Sequence, residues 1–337
     1  MHEQLTGSDF DRLVTVVIPT LNEETALSKV LEELGSLGIR NILIVDGHSS
    51  DGTIEVAKKF DVSIIFQQGR GKTGALKTAI NDVKTPYMLI MDGDYTYDAS
   101  CIPRFLENAD SCDEVIGARV GNAHSMNRLH KLGNKIITKC FNFLMKTKLS
   151  DVCSGMYMLR VELAREIDLD TAGFDVEAEI AAQIATIGNI TEVPVNYRSR
   201  IGRQKLSTWR HGFSILKSIF MFSKLYNPGL FFSMLSGLLA IPAALMVFGS
   251  FLEWVYLDRI STPWLLTNVL ILLVTTQIMC VGFVCQVLRK SELKTARRLR
   301  KIEKNSFLFI RKLIDNSLSN TDEYIHNEQA RSKPEKF

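Results

Sequence analysis

The 337-residue sequence lacks the patterns that define several common classes of protein. Its six cysteines form no Cys-x-x-Cys pair and no metal-ligand spacing with histidine, so scattered, reduced thiols are the simplest interpretation. The formal net charge is only +3, which argues against nucleic acid as a main partner. Residues 1–12 are polar and contain no apolar core of a signal peptide, so we expect the N-terminal domain to stay in the cytoplasm.

Two common phosphate-binding sequences are also absent. No Gly-x-x-x-x-Gly-Lys-Ser/Thr sequence occurs, which excludes a Walker A loop. No Gly-x-Gly-x-x-Gly sequence follows the first predicted strand, which excludes a dinucleotide-binding fingerprint at that position. The sequence also contains no internal repeat and no low-complexity tract.

Short apolar runs alternate with segments of helical spacing through the first half of the chain. The runs at 13–18, 41–45, 63–66, 87–91 and 114–119 have the length and composition of strands. Between them, helical patterns are predicted at 27–37, 53–60 and 75–83. This alternation predicts an α/β fold with a mainly parallel sheet and right-handed crossovers.

Acidic residues follow two of the predicted strands. Asp92 and Asp94 come directly after the apolar run at 87–91, and Asp46 ends an earlier strand. Open α/β sheets bind their ligands beyond the carboxyl ends of the strands, and two carboxylates can share one hard divalent cation. A solvated strand-to-turn junction would give the same short sequence, because Asp and Gly are ordinary turn residues.

A Gly/Lys loop at 69–74 lies between these acidic strand ends and contains Lys72. Carboxylates can bind a base, ribose hydroxyls or a metal ion, and a cation can bind phosphates. The combination therefore points to a nucleoside diphosphate as the ligand.

Two long stretches near the C-terminus contain no charged residue. They cover 230–251 and 264–288, and each exceeds the roughly 20 residues that cross a bilayer. The connecting segment 253–263 is short and slightly acidic, whereas lysines and arginines crowd the outer flanks. The positive-inside rule then predicts a hairpin with both ends in the cytoplasm. Helices buried in a protein core are the alternative.

The segment 127–145 has an apolar face surrounded by lysines. Such a basic amphipathic helix can lie on an anionic membrane surface, or it can pack on a protein core with its lysines in solvent. Because hydrophobic stretches of membrane length follow, we favour the membrane surface.

Several motifs, in order, resemble those of family 2 glycosyltransferases with the GT-A fold. These are Val17-Ile18-Pro19-Thr20-Leu21-Asn22-Glu23, the segment 46–53 and Asp92-Gly93-Asp94. The closer resemblance is to polyprenyl- and dolichyl-phosphate hexose synthases, through the segments 69–75, 117–119, 151–155, 173–179, 192–197 and 200–206. Segments 46–49, 92–97 and 227–228 are similar to archaeal enzymes that load the first sugar of the S-layer N-glycan onto dolichyl phosphate. The resemblance covers about residues 13 to 290.

The resemblance implies a Rossmann-like GT-A catalytic domain over 13–206 after an N-terminal tail over 1–12. We then expect a juxtamembrane amphipathic segment over 207–228, a two-helix transmembrane hairpin over 229–290 and a polar cytoplasmic tail over 291–337. The protein would be a multi-pass protein of the cell membrane, with its catalytic domain facing the cytoplasm. Whether it forms a homo-oligomer stays open.

The resemblance also implies roles for individual residues. The nucleotide sugar would be bound by Pro19, Thr20, Asn22, Glu23, Asp46, Asp51, Lys72 and Asp92. Asp92 and Asp94 would hold Mg²⁺ or Mn²⁺. The residues expected at the chemistry are Asp94, Arg119, Arg200 and Lys205, and the acceptor phosphate would contact Arg119, Arg128, Arg200 and Lys205. Glu177 and Glu179 would orient sugar hydroxyls, or they are solvated carboxylates in a first helical turn.

The sequence departs from the family pattern at two places. Thr96 stands where many relatives have a glutamine that also touches the metal, and a threonine hydroxyl is a poorer ligand. The segment 202–205 reads Gly-Arg-Gln-Lys where the family often has Gly-x-Ser-Lys, so a hydroxyl contact there is lost while the charge of Lys205 remains.

The activity implied is metal-dependent, inverting transfer of a hexose or N-acetylhexosamine from a nucleotide sugar to dolichyl or polyprenyl phosphate, for protein N-glycosylation. UDP-glucose and UDP-N-acetylglucosamine are the favoured donors. The alternatives are a GDP-mannose-dependent dolichyl-phosphate mannose synthase, a processive polysaccharide synthase of the same fold, and an inactive membrane scaffold that only binds nucleotide sugars.

Overall fold

The computed structural model describes residues 7–120, 128–169, 176–201, 224, 226–258 and 262–331. Lys205 and most of the predicted juxtamembrane segment 207–228 lie outside these residues. The chain forms two units, Met1–Phe283 and Val284–Phe337. The first contains the α/β domain, and the second is the C-terminal part of the last helix.

Seven strands form one sheet in the order β3-β2-β1-β4-β6-β5-β7. Every pairing is parallel except those of β6, which runs antiparallel to both β4 and β5. The mainly parallel sheet predicted from the sequence is therefore confirmed. The strand bounds are β1 Val14–Thr20, β2 Ile42–Asp46, β3 Ser63–Phe66, β4 Tyr87–Ile90, β5 Glu114–Val120, β6 Tyr157–Arg160 and β7 Ile190–Asn196.

Helices connect the strands and cover both faces of the sheet. They are α1 Gly7–Leu13, α2 Glu24–Ser36, α3 Thr53–Ala57, α4 Gly71–Asp82, α5 Ile102–Ala109, α6 Arg128–Met145, α7 Val161–Ala164 and α8 Val176–Ile187. A short 3-10 helix, Ala99–Cys101, precedes α5. In contrast to the sequence prediction, α4 begins at Gly71 rather than at residue 75, so Lys72 lies in its first turn.

The core lies on both faces of the sheet because successive strand residues point in opposite directions. Val16 and Ile18 pack into one apolar cluster, whereas Val17, between them, packs into the other. Strands buried on both faces explain why the sequence shows continuous apolar runs rather than alternation.

The order of the strands decides where polar side chains meet. β1 has β2 on one side and β4 on the other, so the connections diverge between β1 and β4. Ligands of open α/β sheets bind at such a switch point, beyond the carboxyl ends of the strands. Here the C-terminal end of β1 faces the residues that follow β4, which brings Pro19 and Thr20 towards Asp92 and Asp94.

Strand β6 is not evident from the sequence. This strand has only four residues, Tyr-Met-Leu-Arg, and a run that short does not distinguish a strand from a helix. Its insertion beside β4 matters for function, because the loop that leads into it, Ser154-Gly155, reaches Asp92.

Two helices with long apolar segments follow the α/β domain: α9 Pro228–Leu257 and α10 Thr262–Arg331. Asn227 begins the first, accepting a hydrogen bond from the Leu230 amide at 3.1 Å. The segments long and apolar enough to cross a membrane are Pro228–Tyr256 and Thr262–Glu292, and their most apolar parts are only 11% and 17% buried. Such exposure contradicts the alternative of soluble core helices and fits the predicted hairpin. The two helices contact closely at Gly282, where an added Cβ would lie 2.4 Å from Phe232 Cβ.

A buried carboxyl group at the start of β5 couples the stability of the fold to pH. The Glu114 side chain is 1% exposed, and its Oε2 atom has no hydrogen-bond partner among the described residues. Burial raises the pKa of Glu114 well above its usual range. In the unfolded chain the group loses its proton above its ordinary pKa of about 4.3. The free energy of unfolding is therefore not reduced by Glu114 below that pH, and it falls as the pH rises towards the raised pKa of the folded state.

We expect Glu114→Gln to flatten the pH dependence of thermal unfolding, because glutamine does not titrate. Relative to the original protein, the unfolding midpoint of the variant should become progressively higher as the pH rises above about 4.3, the ordinary pKa of the carboxyl group. The full chain in detergent, followed by circular dichroism, provides the measurement. Glu107→Gln, at an exposed position of α5, is the matched control. Parallel midpoint curves for Glu114→Gln and the original protein would contradict the assignment.

Candidate active site

A cleft opens where the residues after β1 and β4 meet the first turn of α4. Several residues predicted for nucleotide-sugar or metal binding line it together, joined by others that the sequence analysis did not single out. The lining residues are Pro19, Thr20, Leu21, Glu23, Gln67, Gly71, Lys72, Ala75, Asp92, Gly93, Asp94 and Arg200.

Asp94 is the more buried of the two cleft carboxylates. Its Oδ1 atom accepts hydrogen bonds from the Thr96 amide at 3.1 Å and the Thr96 hydroxyl at 2.5 Å. Its Oδ2 atom lies 3.4 Å from Nη1 of Arg200. Burial and the neighbouring charge of Asp92 raise the pKa of Asp94 above its ordinary value. Thr96 therefore fixes the orientation of Asp94 through its own hydroxyl.

Asp92 is held from two sides. Its Oδ1 atom lies 2.6 Å from Nζ of Lys72, and the same ammonium group lies 2.6 Å from Oε1 of Glu177. Burial alone would lower the pKa of Lys72, but the charges of Asp92 and Glu177 outweigh it and raise that pKa well above its ordinary value. On the other side, Oδ2 of Asp92 faces the backbone of Gly155. Lys72 is thus a permanent cation in α4 that bridges α8 and the loop after β4.

A chain segment after β7 returns to the loop that contains Asp94. The Arg198 amide donates to the Thr96 carbonyl at 2.7 Å, and the Ile201 amide donates to the Asp94 carbonyl at 3.2 Å. These bonds bring the Arg200 side chain into the cleft, where Nη2 donates to Oε1 of Glu23 at 2.6 Å. The Nε atom of Arg200 is buried and has no hydrogen-bond partner among the described residues.

Asn22, Asp46 and Asp51, predicted to bind the nucleotide, are not among the residues that line the cleft. They hold the turns beside it. Asp46 is fully buried and accepts hydrogen bonds from the Thr20 hydroxyl and from the amide and hydroxyl of Ser49. Asn22, with a positive φ of 54°, accepts a hydrogen bond from the Ser50 amide at 2.8 Å. These contacts hold the turns after β1 and β2 together.

Asp51 holds the start of α3. It accepts hydrogen bonds from the amide and hydroxyl of Thr53 and from the Glu24 amide. Burial would raise the pKa of Asp51, but these hydrogen bonds outweigh it and lower that pKa below its ordinary value. Its carboxylate oxygens therefore already accept hydrogen bonds within the protein.

The cations predicted to bind the acceptor have different surroundings. Arg119 forms a fork with Asp151, with Nε at 2.5 Å from Oδ2 and Nη2 at 2.7 Å from Oδ1, and its guanidinium lies 5.5 Å from the ring centre of Tyr197. Arg200 lines the cleft. Arg128 begins α6, but its side chain lies outside the described part of the structure, as does Lys205.

The two predicted sugar-binding carboxylates also have different surroundings. Glu177 belongs to the first turn of α8 and pairs with Lys72. Its pairing with the ammonium group rules against the alternative of a solvated helix-end carboxylate. Glu179 is 3% exposed, which likewise excludes a solvated group.

Sequence reasoning missed Gln67, Gly155 and Tyr97. Gln67 follows β3 and lines the cleft, and a polar residue just beyond a strand was a signal for it. Gly155 and Tyr97 belong to motifs that were recognised, but their contact across β4 and β6 depends on the unpredicted strand β6.

The donor set of the cleft fits a divalent metal ion bound together with a diphosphate. Two carboxylates face the same space, and their mutual repulsion contributes to the raised pKa of Asp94, so a divalent cation would relieve it. Among the described residues no group of three His, Cys, Asp or Glu side chains forms a metal cage. A metal held by two carboxylates would need further oxygen ligands, which a diphosphate supplies.

Comparison with known proteins agrees with this architecture. Residues 15–168 match the model of glycosyl transferase family 2. The sequence is 32% identical over 226 residues to glycosyltransferase AglJ of Haloferax volcanii, covering 65% of this chain and 75% of that relative. It is 36% identical over 220 residues to a dolichyl-phosphate hexose transferase of the same organism, covering 64% of this chain and 95% of that relative.

Among solved structures, the fold is similar to glucosyl-3-phosphoglycerate synthase from Mycobacterium tuberculosis. The form in complex with Mn²⁺, uridine diphosphate and glucosyl-3-phosphoglycerate gives a TM-score of 0.52 at 17% identity, covering 66% of this chain and 85% of that one. At this identity the likeness concerns the fold alone. Together with the sequence relatives and the matched family model, it shows that the chain belongs to glycosyl transferase family 2 and is a hexosyltransferase with a GT-A catalytic domain.

Proposed function

We propose that this protein transfers a hexose or N-acetylhexosamine from a nucleotide sugar to dolichyl or polyprenyl phosphate at a membrane surface, for protein N-glycosylation. One observation carries the proposal: Asp92, Asp94, Lys72 and Arg200 line a single cleft in a chain that also has two helices of membrane length. The similarity to a dolichyl-phosphate hexose transferase supports the lipid acceptor.

The nucleotide sugar would enter the cleft with its diphosphate between the acidic and basic groups. Asp92 and Asp94 would hold Mg²⁺ or Mn²⁺, and when bound this ion would neutralise negative charge on the departing nucleoside diphosphate. Lys72 lines the cleft and bridges Asp92 and Glu177 at 2.6 Å each, and an ammonium group has a third donor that would contact a phosphate oxygen. Pro19, Thr20 and Glu23 would contact the nucleoside, while Asn22, Asp46 and Asp51 hold the turns that shape this part of the cleft.

The acceptor needs orientation rather than a general base. A phosphate monoester of dolichol is already anionic at neutral pH, so its oxygen can attack the anomeric carbon directly. The new bond forms between that oxygen and the anomeric carbon, the bond to the diphosphate oxygen breaks, and the nucleoside diphosphate leaves with the electron pair. Attack from the side opposite the leaving group inverts the configuration.

Arg200 is the cation best placed to orient the acceptor phosphate. It lines the cleft beside Asp94, and its side chain is 28% exposed, whereas that of Arg119 is 13% exposed, so its charge can reach a phosphate oxygen. We assign a less direct role to Arg119, because its fork with Asp151 already satisfies two of its donors. Arg128 and Lys205 stay in the proposal as further acceptor cations on the resemblance alone.

The donor should be UDP-glucose or UDP-N-acetylglucosamine, with GDP-mannose as the alternative. Membranes that contain the expressed protein can be incubated with dolichyl phosphate, Mn²⁺ or Mg²⁺ and each labelled nucleotide sugar in turn. We expect label from a UDP-sugar to enter an acid-labile lipid, and label from GDP-mannose alone would favour a mannose synthase instead. Binding of nucleotide sugars without transfer to any polyprenyl phosphate would contradict the proposed reaction and favour an inactive scaffold.

Asp94→Asn should lower the rate of transfer by about 100-fold or more, because it removes a charge from the cation site while preserving shape. The same assay with the favoured donor measures the rate, and membrane fractionation checks that the variant still inserts. Asp82→Asn, at an exposed position of α4, is the matched control and should transfer at the original rate. Undiminished transfer by a membrane-inserted Asp94→Asn protein would refute the role of Asp94.

The proposed topology places the catalytic domain and the C-terminal tail in the cytoplasm and the connection at 253–263 outside. Single cysteines introduced into a cysteine-free version of the chain report on it through a thiol reagent that does not cross the membrane. We expect labelling in intact cells at Ser261→Cys, in the connection, but at Ser8→Cys only after lysis. The reverse pattern would overturn the orientation drawn from the flanking cations.

A further inference from the structure

The buried hydroxyl of Tyr97 is hydrogen-bonded to the loop that lies beside Asp92. Tyr97 is 1% exposed, and its oxygen accepts a hydrogen bond from the Gly155 amide at 2.6 Å. The adjacent Ser154 hydroxyl donates to the Gly117 carbonyl, so the loop that enters β6 is fastened to both neighbouring segments. This loop therefore has a fixed position relative to β4 and β5.

Gly155 in turn lies against Asp92. A Cβ atom added to Gly155 would lie 2.0 Å from Oδ2 of Asp92, a distance at which no side chain can coexist with the carboxylate. The carboxylate oxygen thus occupies the space that any other residue at 155 would fill. Its other oxygen lies 2.6 Å from Nζ of Lys72, so both oxygens have a fixed neighbour.

We infer that Tyr97 and Gly155 are positioning residues for Asp92, with the Tyr97 hydroxyl holding the Gly155 backbone against one carboxylate oxygen while Lys72 holds the other. This inference rests on the proposed function, in which Asp92 binds the metal ion that accompanies the donor diphosphate. Outer groups that orient metal-binding side chains commonly change metal affinity when they are removed. Neither residue lines the cleft, so their loss should act on metal and donor binding through Asp92.

Tyr97→Phe tests the hydroxyl with the least disturbance to packing. In the full chain in detergent, with uridine diphosphate present, binding of Mn²⁺ can be followed by electron paramagnetic resonance of the free ion. We expect the dissociation constant for Mn²⁺ to rise by about 10-fold. The matched control is Tyr95→Phe, which removes a hydroxyl from the same loop and should bind as the original protein does. An unchanged Mn²⁺ affinity in Tyr97→Phe would overturn the inference.

The contact between Gly155 and Asp92 can be tested without any metal, through thermal unfolding. Gly155→Ala should lower the unfolding midpoint by about 3 °C or more, because its methyl group meets the carboxylate. In an Asp92→Ala background the same substitution should lose most of that effect, since the opposing oxygen is gone. Gly35→Ala, where an added Cβ meets nothing within 4 Å, is the control. Equal losses in both backgrounds would show that Gly155 does not act through Asp92.

Measuring Mn²⁺ binding by both the original protein and Tyr97→Phe separates this inference from the proposed function. If the original protein binds no Mn²⁺ in the presence of uridine diphosphate, the proposed metal site is refuted, and with it the role of Tyr97 in metal affinity. If the original protein binds Mn²⁺ and Tyr97→Phe binds it equally well, only the positioning role fails.

Discussion

Two carboxylates that share one cleft repel each other, and the surrounding structure is arranged to hold them there. Asp92 and Asp94 are two residues apart at the end of β4, and the charge of the first contributes to the raised pKa of the second. Each carboxylate is balanced by a cation from a distant part of the chain: Lys72, at the start of α4, and Arg200, beyond β7. The free energy of placing two like charges together is thus offset by ion pairs that only the complete fold can form.

The same ion pairs bear on the proposed chemistry. Lys72 and Arg200 neutralise the carboxylates here, and the same two groups have the charge that a diphosphate and a phosphate acceptor require. Binding of a metal ion with its diphosphate would therefore exchange partners among charges already in the cleft, rather than bury new unpaired ones. Because charged groups are costly to desolvate without partners, a site that changes partners keeps its charges compensated throughout.

The sequence predicts those features that depend on local patterns. Apolar runs ending in aspartate give the strands and the position of Asp92 and Asp94, and two uncharged stretches give the membrane-length helices. The ion pairs of Arg119 with Asp151 and of Lys72 with Glu177 were not predictable, because each joins residues far apart in the chain. The same limit applies to Gly155: a glycine in a recognised motif is visible in the sequence, but the carboxylate against it is not.

Strand β6 is short, but its antiparallel direction determines which loop lies beside Asp92. Placed antiparallel between β4 and β5, it brings the loop before it across the end of β4. A parallel strand in that place would have its carboxyl end there, followed by a helix, and the backbone of Gly155 would not face Asp92. The single reversed strand thus lets a glycine without a side chain approach one carboxylate while the other remains anchored by Thr96. The two acidic groups therefore have separate direct neighbours, Gly155 and Lys72 for Asp92 and Thr96 and Arg200 for Asp94, although Thr96 and Tyr97 belong to the same loop.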